Sequence, residues 1–223
     1  MKASNINRII VFLLSAALIV ATSAFQPVLP VTGSSFSTAD SPFQLAEADD
    51  TRQTSAALNA FVSSVTDGNA KALRGVYADG VLALPIVEQP SNQAAFVSTT
   101  DGVATRFAMA GKYNTVGLLA HNYLAGRYFF NLNVGDTIEL VYGDGSVKSY
   151  TVTAFYRFQA LSPTSANSKF RDLETDKVIS ATELFKKVYM GNHHLTLQTC
   201  IQQGSVDSWG RLFVIAEPVA AAT

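Results

Sequence analysis

From Leu73 onward, apolar residues fall in short runs divided by turn-forming residues, a texture of strands rather than of helices. The runs cover Leu73 to Ala78, Val81 to Val87, Phe107 to Ala110, Val116 to His121, Thr137 to Tyr142 and Val147 to Arg157, with two more at Leu195 to Cys200 and Leu212 to Ala216. Asp79-Gly80 between the first two predicts a hairpin, and Gly143-Asp144-Gly145-Ser146 predicts another; Pro85 within its run predicts an edge or a bulge. About eight short strands at this spacing imply a mainly β domain closed into a barrel, since closure removes the edges they would otherwise expose. Two segments depart from the pattern. Leu58, Phe61, Val62 and Val65 recur at helical spacing before Asp67-Gly68, and Ser180-Ala181-Thr182-Glu183 is a capping box that opens a helix through Tyr189. Between them and the strands, Pro163 to Ser168 reads as a loop, so Gln159 to His194 forms a long excursion.

The start of the chain carries a different signal. Lys2 and Arg8 precede the apolar run Ile9 to Val20, which gives way to the small residues Ala21-Thr22-Ser23-Ala24, so residues 1–24 read as a secretory signal or an N-terminal anchor. Residues 25–50 are rich in Pro, Ser, Thr and Asp without a period and predict a flexible linker, leaving residues 51–223 as one folded domain. The linker contains Leu29-Pro30-Val31-Thr32-Gly33.

Composition narrows the class. The chain has 223 residues, 48% of them hydrophobic and 15% charged, which excludes a disordered protein and suits a domain with a sizeable core. A net charge of -1, and of -3 once the two cations of residues 1–24 are removed, offers no basic field for nucleic acid. No internal repeat is present on inspection.

Cys200 is the single cysteine, so in an exported protein it is buried and inert, paired with another chain, or kept free for its reactivity. Strand alternation sets Leu195, Leu197 and Thr199 on one face and Thr196, Gln198 and Cys200 on the other, more polar one. Arg211 opens the next strand, where it can place a fixed positive charge beside the thiol, and the upstream His121 can supply proton chemistry. Each also has an ordinary use: a core histidine, a salt-bridged arginine, a packed thiol. His193 and His194 compete as bases but lie about 20 Å along an extended strand from Cys200. A zinc site built from these histidines and Cys200 lacks paired-ligand spacing, and Asp172, Glu174, Asp176 and Glu183 lack the alternation of a calcium loop, so no metal or other cofactor is expected.

Thr196-Leu197-Gln198-Thr199-Cys200, followed by Arg211 and preceded by His121 in Leu118-Leu119-Ala120-His121-Asn122, resembles the sortase family of cysteine transpeptidases, and the resemblance runs from about Leu73 to Pro218. It implies a sortase-like closed barrel of about eight strands with one or two short helices, on the extracellular face of the cell envelope or secreted. It further implies that Cys200 attacks a C-terminal sorting signal of the Leu-Pro-x-Thr-Gly type in a surface protein and passes the acyl group to an amine on the cell wall or a pilin. His121 would then be the acid–base and Arg211 the oxyanion or substrate donor. Asn122, Thr199 and Trp209 are candidate substrate contacts, Asn122 also as a group that orients His121, with Tyr123 a further groove-wall aromatic. The excursion before the cysteine strand would form one wall of the peptide groove. An uncleaved N-terminal segment would add a membrane contact. By the same likeness Leu29–Gly33 matches the sorting signal, either by coincidence or as an internal inhibitor or self-cleavage site. Hydrolysis alone, or a non-catalytic exported barrel binding peptide or wall polymer, are the alternatives.

Overall fold

The computed structural model of the chain describes residues 56–220, Ala166 excepted. The expectations for residues 1–24, for the linker and for Leu29–Gly33 lie outside the described residues. Helix α1 (residues 56–65) leads in, with Leu58, Phe61, Val62 and Val65 as its partly buried residues. The Phe61 ring lies 5.8 Å from that of Tyr77, which seats the helix on the first strand.

Ten strands follow: β1 (Leu73–Ala78), β2 (Leu82–Glu88), β3 (Ala104–Arg106), β4 (Thr115–Leu119), β5 (Thr137–Tyr142), β6 (Val147–Ala160), β7 (Lys169–Asp172), β8 (Val178–Ser180), β9 (His194–Gln203) and β10 (Val206–Pro218). Eight of them run in the order β10-β9-β4-β3-β2-β1-β5-β6, and pairing of β6 with β10 closes the ring. The mainly β barrel expected from the sequence is therefore present. β6 makes closure possible because at 14 residues it outlasts β5: its first part pairs with β5, its later part with β10, and its end with the hairpin β7–β8.

Both predicted hairpins form. Ala78 pairs with Leu82 across a turn in which Gly80 takes φ +63°, a conformation that a side chain would strain. Val141 pairs with Val147 across the second. Pro85 sits at an interior strand, contrary to the expected edge, but at the last residue of the β1 pairing, before β3 joins at Ile86. Phe107 to Ala110, expected as a strand, is instead the entry to a 3₁₀ turn at Ala110–Tyr113, and the strand in this region is the shorter β3.

Two apolar cores result. Leu118, Leu140, Leu195, Leu197, Leu212 and Val214 fill the barrel. A second core covers part of its outer surface, where Phe158, Phe213 and Phe107 meet helix α2 (Ala181–Tyr189) through Leu184, Phe185, Val188 and Tyr189. The predicted capping box starts α2: the Ser180 hydroxyl accepts from the Glu183 N–H, and the Ser180 N–H donates to the Glu183 carboxylate at 2.8 Å. The excursion from Gln159 to His194 is thus a packed layer, with the hairpin β7–β8 that its polar sequence did not signal. Among the described residues, no helix is long and apolar enough to cross a membrane.

Candidate active site

The inner and outer faces of β9 decide where the thiol points. Leu195 and Leu197 lie in the barrel core, so Thr196, Gln198 and Cys200 face outward. Gln198 accordingly accepts a 2.6 Å hydrogen bond from Tyr189 of the outer core, whose phenol burial holds well above its usual titration range. Cys200, two residues on, is partly exposed and free.

On one side of β9, Arg211 of β10 is the direct antiparallel partner of Cys200, so both side chains leave the sheet on the same face. On the other side, β4 runs parallel to β9 with Leu119 opposite Gln198, and the Ala120 N–H continues the ladder to the Gln198 carbonyl at 3.2 Å. Beyond this bond the pairing of β4 with β9 ends, and His121 follows directly, toward the end of β9 that carries Cys200. The register therefore sets Cys200 and Arg211 side by side on adjacent strands about 5 Å apart, with His121 on the chain that leaves β4 on the other side of β9.

The surroundings of each group differ. Arg211 is 1% exposed. Its Nη1 donates to the carbonyls of Ser208 at 2.8 Å and Gly210 at 2.7 Å, while Nε and Nη2 have no partner among the described residues. Those carbonyls are available because β10 carries extra residues at Asp207–Trp209: Val206 pairs with Gln203, yet Gly210 already pairs with Ile201. Such bulges re-aim groups beside a site. Trp209 lies in this bulge, partly buried at the Cys200 end of the strand.

His121 is partly buried, and its imidazole is held below the usual range first by that burial, with the Val97 carbonyl as an acceptor pulling the other way. Its ring stacks on Tyr123 with centroids 5.3 Å apart. Its carbonyl receives the N–H groups of Leu124 at 3.0 Å and Gly126 at 2.9 Å, so the chain wraps tightly round it. Gly126 is required there: a Cβ would stand 2.7 Å from that carbonyl and 2.8 Å from the Ala120 carbonyl, and against the Thr199 hydroxyl.

The other candidate residues have partners or positions of their own. Asn122 does not bond His121; its amide donates to the Asp207 carbonyl at 3.3 Å, tying the histidine loop to the bulge. Thr199 faces inward at 2% exposure, away from the Cys200 face, with a hydroxyl that has no partner. His193 and His194 sit at the far end of β9, His193 bonded to Tyr150 and the Asn114 carbonyl, His194 to the carbonyls of Asn192 and Val188. They border a separate cavity of about 420 Å³ with Lys187, Tyr156 and Glu217. The acids of the excursion serve local structure: Asp172 caps the β7–β8 turn, Asp176 pairs with Arg171 and Glu183 completes the capping box. Among the described residues, no three His, Cys, Asp or Glu side chains are grouped to hold a metal. The contributions of the Val97 and Ser208 carbonyls and of Gly126 were not visible in the sequence, because two act through the backbone and one through the absence of a side chain.

No family model matches the chain. No curated protein matches it. Among solved structures it is similar to sortase C1 from Streptococcus suis, at 11% identity over 97% of this chain and 96% of that one with a TM-score of 0.45. It is similar to sortase E1 from Streptomyces coelicolor, solved with a tripeptide in the active site, at 18% identity over 70% and 91% with a TM-score of 0.43. Sortase A from Listeria monocytogenes matches at 15% identity over 69% and 89% with a TM-score of 0.42. Each of these neighbours is a sortase.

Proposed function

We propose that the chain is an exported, sortase-like cysteine transpeptidase. The observation that carries the reading is the pairing of Cys200 with Arg211, a buried guanidinium whose Nε and Nη2 have nothing to bond. An unsatisfied buried donor costs roughly 1–3 kcal/mol, and a site retains such groups when a substrate satisfies them. Because Arg211 is 1% exposed, a substrate reaches it only by displacing what covers it.

In this reading the Cys200 thiolate attacks the scissile carbonyl and the guanidinium takes up the charge that develops on oxygen. His121, as imidazolium, gives its proton to the departing amine when the C–N bond breaks, leaving a thioester on Cys200. An incoming amine attacks the thioester and loses its proton to His121, and the thiolate leaves as the new amide forms. Water in place of the amine gives hydrolysis. The substrate class is a Leu-Pro-x-Thr-Gly sorting signal and the acceptor an amine at the cell surface, with residues 1–24 directing export and residues 25–50 acting as spacer. Trp209 and Asn122, on the bulge and bound to it, border the groove, whereas Thr199 contributes only its backbone.

The test is incubation of the protein with Leu-Pro-x-Thr-Gly peptides, with and without an added amine, followed by mass spectrometry. A Cys200-bound acyl group that transfers to the amine, and that is absent in Cys200→Ala, is the expected result. Cleavage without transfer would make it an endopeptidase, and neither would leave a barrel with an idle thiol.

A further inference from the structure

We infer that Asn122 is a positioning residue for Arg211, acting through the bulge at residues 207–209. The inference rests on Arg211 being the oxyanion donor of the proposed reaction. Among the described residues the guanidinium has two hydrogen-bond partners, the carbonyls of Ser208 at 2.8 Å and Gly210 at 2.7 Å, both accepting from Nη1. Because the donor fork is planar and rigid, those two bonds set its orientation and with it the directions of the unused donors Nε and Nη2. Asn122 reaches the same turn of chain: its side-chain amide donates to the carbonyl of Asp207, the residue before Ser208, at 3.3 Å.

The bulge needs this support because the sheet does not supply it. Residues 207–209 have no partner in the register with β9, which passes from Val206 opposite Gln203 to Gly210 opposite Ile201, and the register with β6 starts only at Gly210. The downstream end is fixed: a Cβ on Gly210 would stand 2.7 Å from the Phe158 carbonyl, so β10 lies tight against β6 there. The upstream end runs into the tip of the β9–β10 hairpin, where residues 202–206 are all exposed. Only that end is free to swing, and the bond from Asn122 fastens it.

Asn122 itself stands on a fixed post. The Ala120 N–H is held by the Gln198 carbonyl at 3.2 Å, and the His121 carbonyl receives the N–H groups of Leu124 and Gly126. Gly126 closes the loop so tightly that it has no room for a Cβ. β4 and β10 flank β9 on opposite sides and do not pair with each other, so the amide bridges the end of β9 that carries Cys200. A primary amide suits the task, because it donates to the bulge without bringing a charge beside the guanidinium.

Nitrogen NMR of the full chain with ¹⁵N-labelled arginine tests this without substrate, the Arg211 Nε–H signal being assigned by its loss in Arg211→Met. Nε is buried, so in the wild-type protein its hydrogen is expected to exchange slowly with water. In Asn122→Leu, which keeps the size of the side chain but has no donor, exchange is expected to be about 10-fold faster or more. In acyl transfer the same variant is expected to lose about 10- to 100-fold in kcat with KM unchanged, and to cost no more than about twofold when Arg211 is already methionine. Asn122→Ala takes the place of Asn122→Leu if that variant does not fold. Fast exchange in the wild-type protein overturns the proposal, as does a folded variant with unchanged exchange. So does a rise in KM at constant kcat, which would make Asn122 a substrate contact, or an undiminished loss on the Arg211→Met background, which would make it act apart from Arg211. A protein that transfers no acyl group, yet whose Arg211 signal exchanges faster in Asn122→Leu, refutes the proposed reaction and not the hold of Asn122 on the guanidinium.

Discussion

Replacing Arg211 by methionine separates what a buried guanidinium costs from what it does. Two of its N–H···O bonds, to Ser208 and Gly210, are charge-assisted and contribute about 1.5–3 kcal/mol each. Against them stand two donors without partners, each costing about 1–3 kcal/mol, on a cation that no described carboxylate pairs with. The opposing terms are of the same size, so Arg211→Met is expected to change folding stability by no more than about 2 kcal/mol. For a domain of this length that is a Tm shift of at most about 8 °C. Loss of an oxyanion donor, by contrast, costs about 10²- to 10³-fold in rate. The assay is a thermal melt alongside acyl transfer from a fluorogenic sorting-signal peptide. Arg211→Lys is expected to fold as well and recover little, because an ammonium lacks the planar fork of donors. Two results would refute the reasoning: a folded Arg211→Met within tenfold of wild-type rate, or a stability loss beyond about 3–5 kcal/mol that the activity merely tracks.

Thr199→Val removes a buried hydroxyl that bonds to nothing and keeps its shape, and should stabilise the fold by about 1 kcal/mol, raising Tm by about 2–4 °C, with acyl transfer unchanged; a tenfold fall in rate would show the side chain to be part of the groove after all. His121 also makes stability depend on pH. Because burial lowers its folded pKa below 6.5, the unfolded chain takes up the proton first, so its contribution is fully present above about pH 7 and is lost as pH falls through 6.5 toward the folded value. Urea unfolding of wild type and His121→Gln across this range should show the wild type losing ground to the variant on acidification, and the reverse trend would contradict the assignment.

How far the sequence led depended on the physical carrier of each feature. β1 and β5 were legible to the residue because each is a short, mainly apolar run ended by turn residues, and the capping box announced α2. β3 and β8 have only three residues each, too few to show a period, and β7 is polar on its exposed face, so none of them signalled itself. Phe107 and Ala110 looked like strand residues because they are apolar, but they are buried from outside the barrel, in a core that the local pattern does not encode. The nearness of Arg211 to Cys200 was legible from their places on consecutive strands; what surrounds them and His121 was not. Gly126, the Val97 carbonyl and the bulge at Asp207–Trp209 depend on approach distances and register between segments far apart in the chain.

β10 both closes the barrel against β6 and delivers Arg211 to Cys200. A chain made only as far as residue 205 already carries its thiol, yet it has an open sheet and no guanidinium beside the sulfur. In the proposed reaction the thiol is therefore armed only once the fold is complete, because the strand that brings the guanidinium to the sulfur is also the one that shuts the barrel.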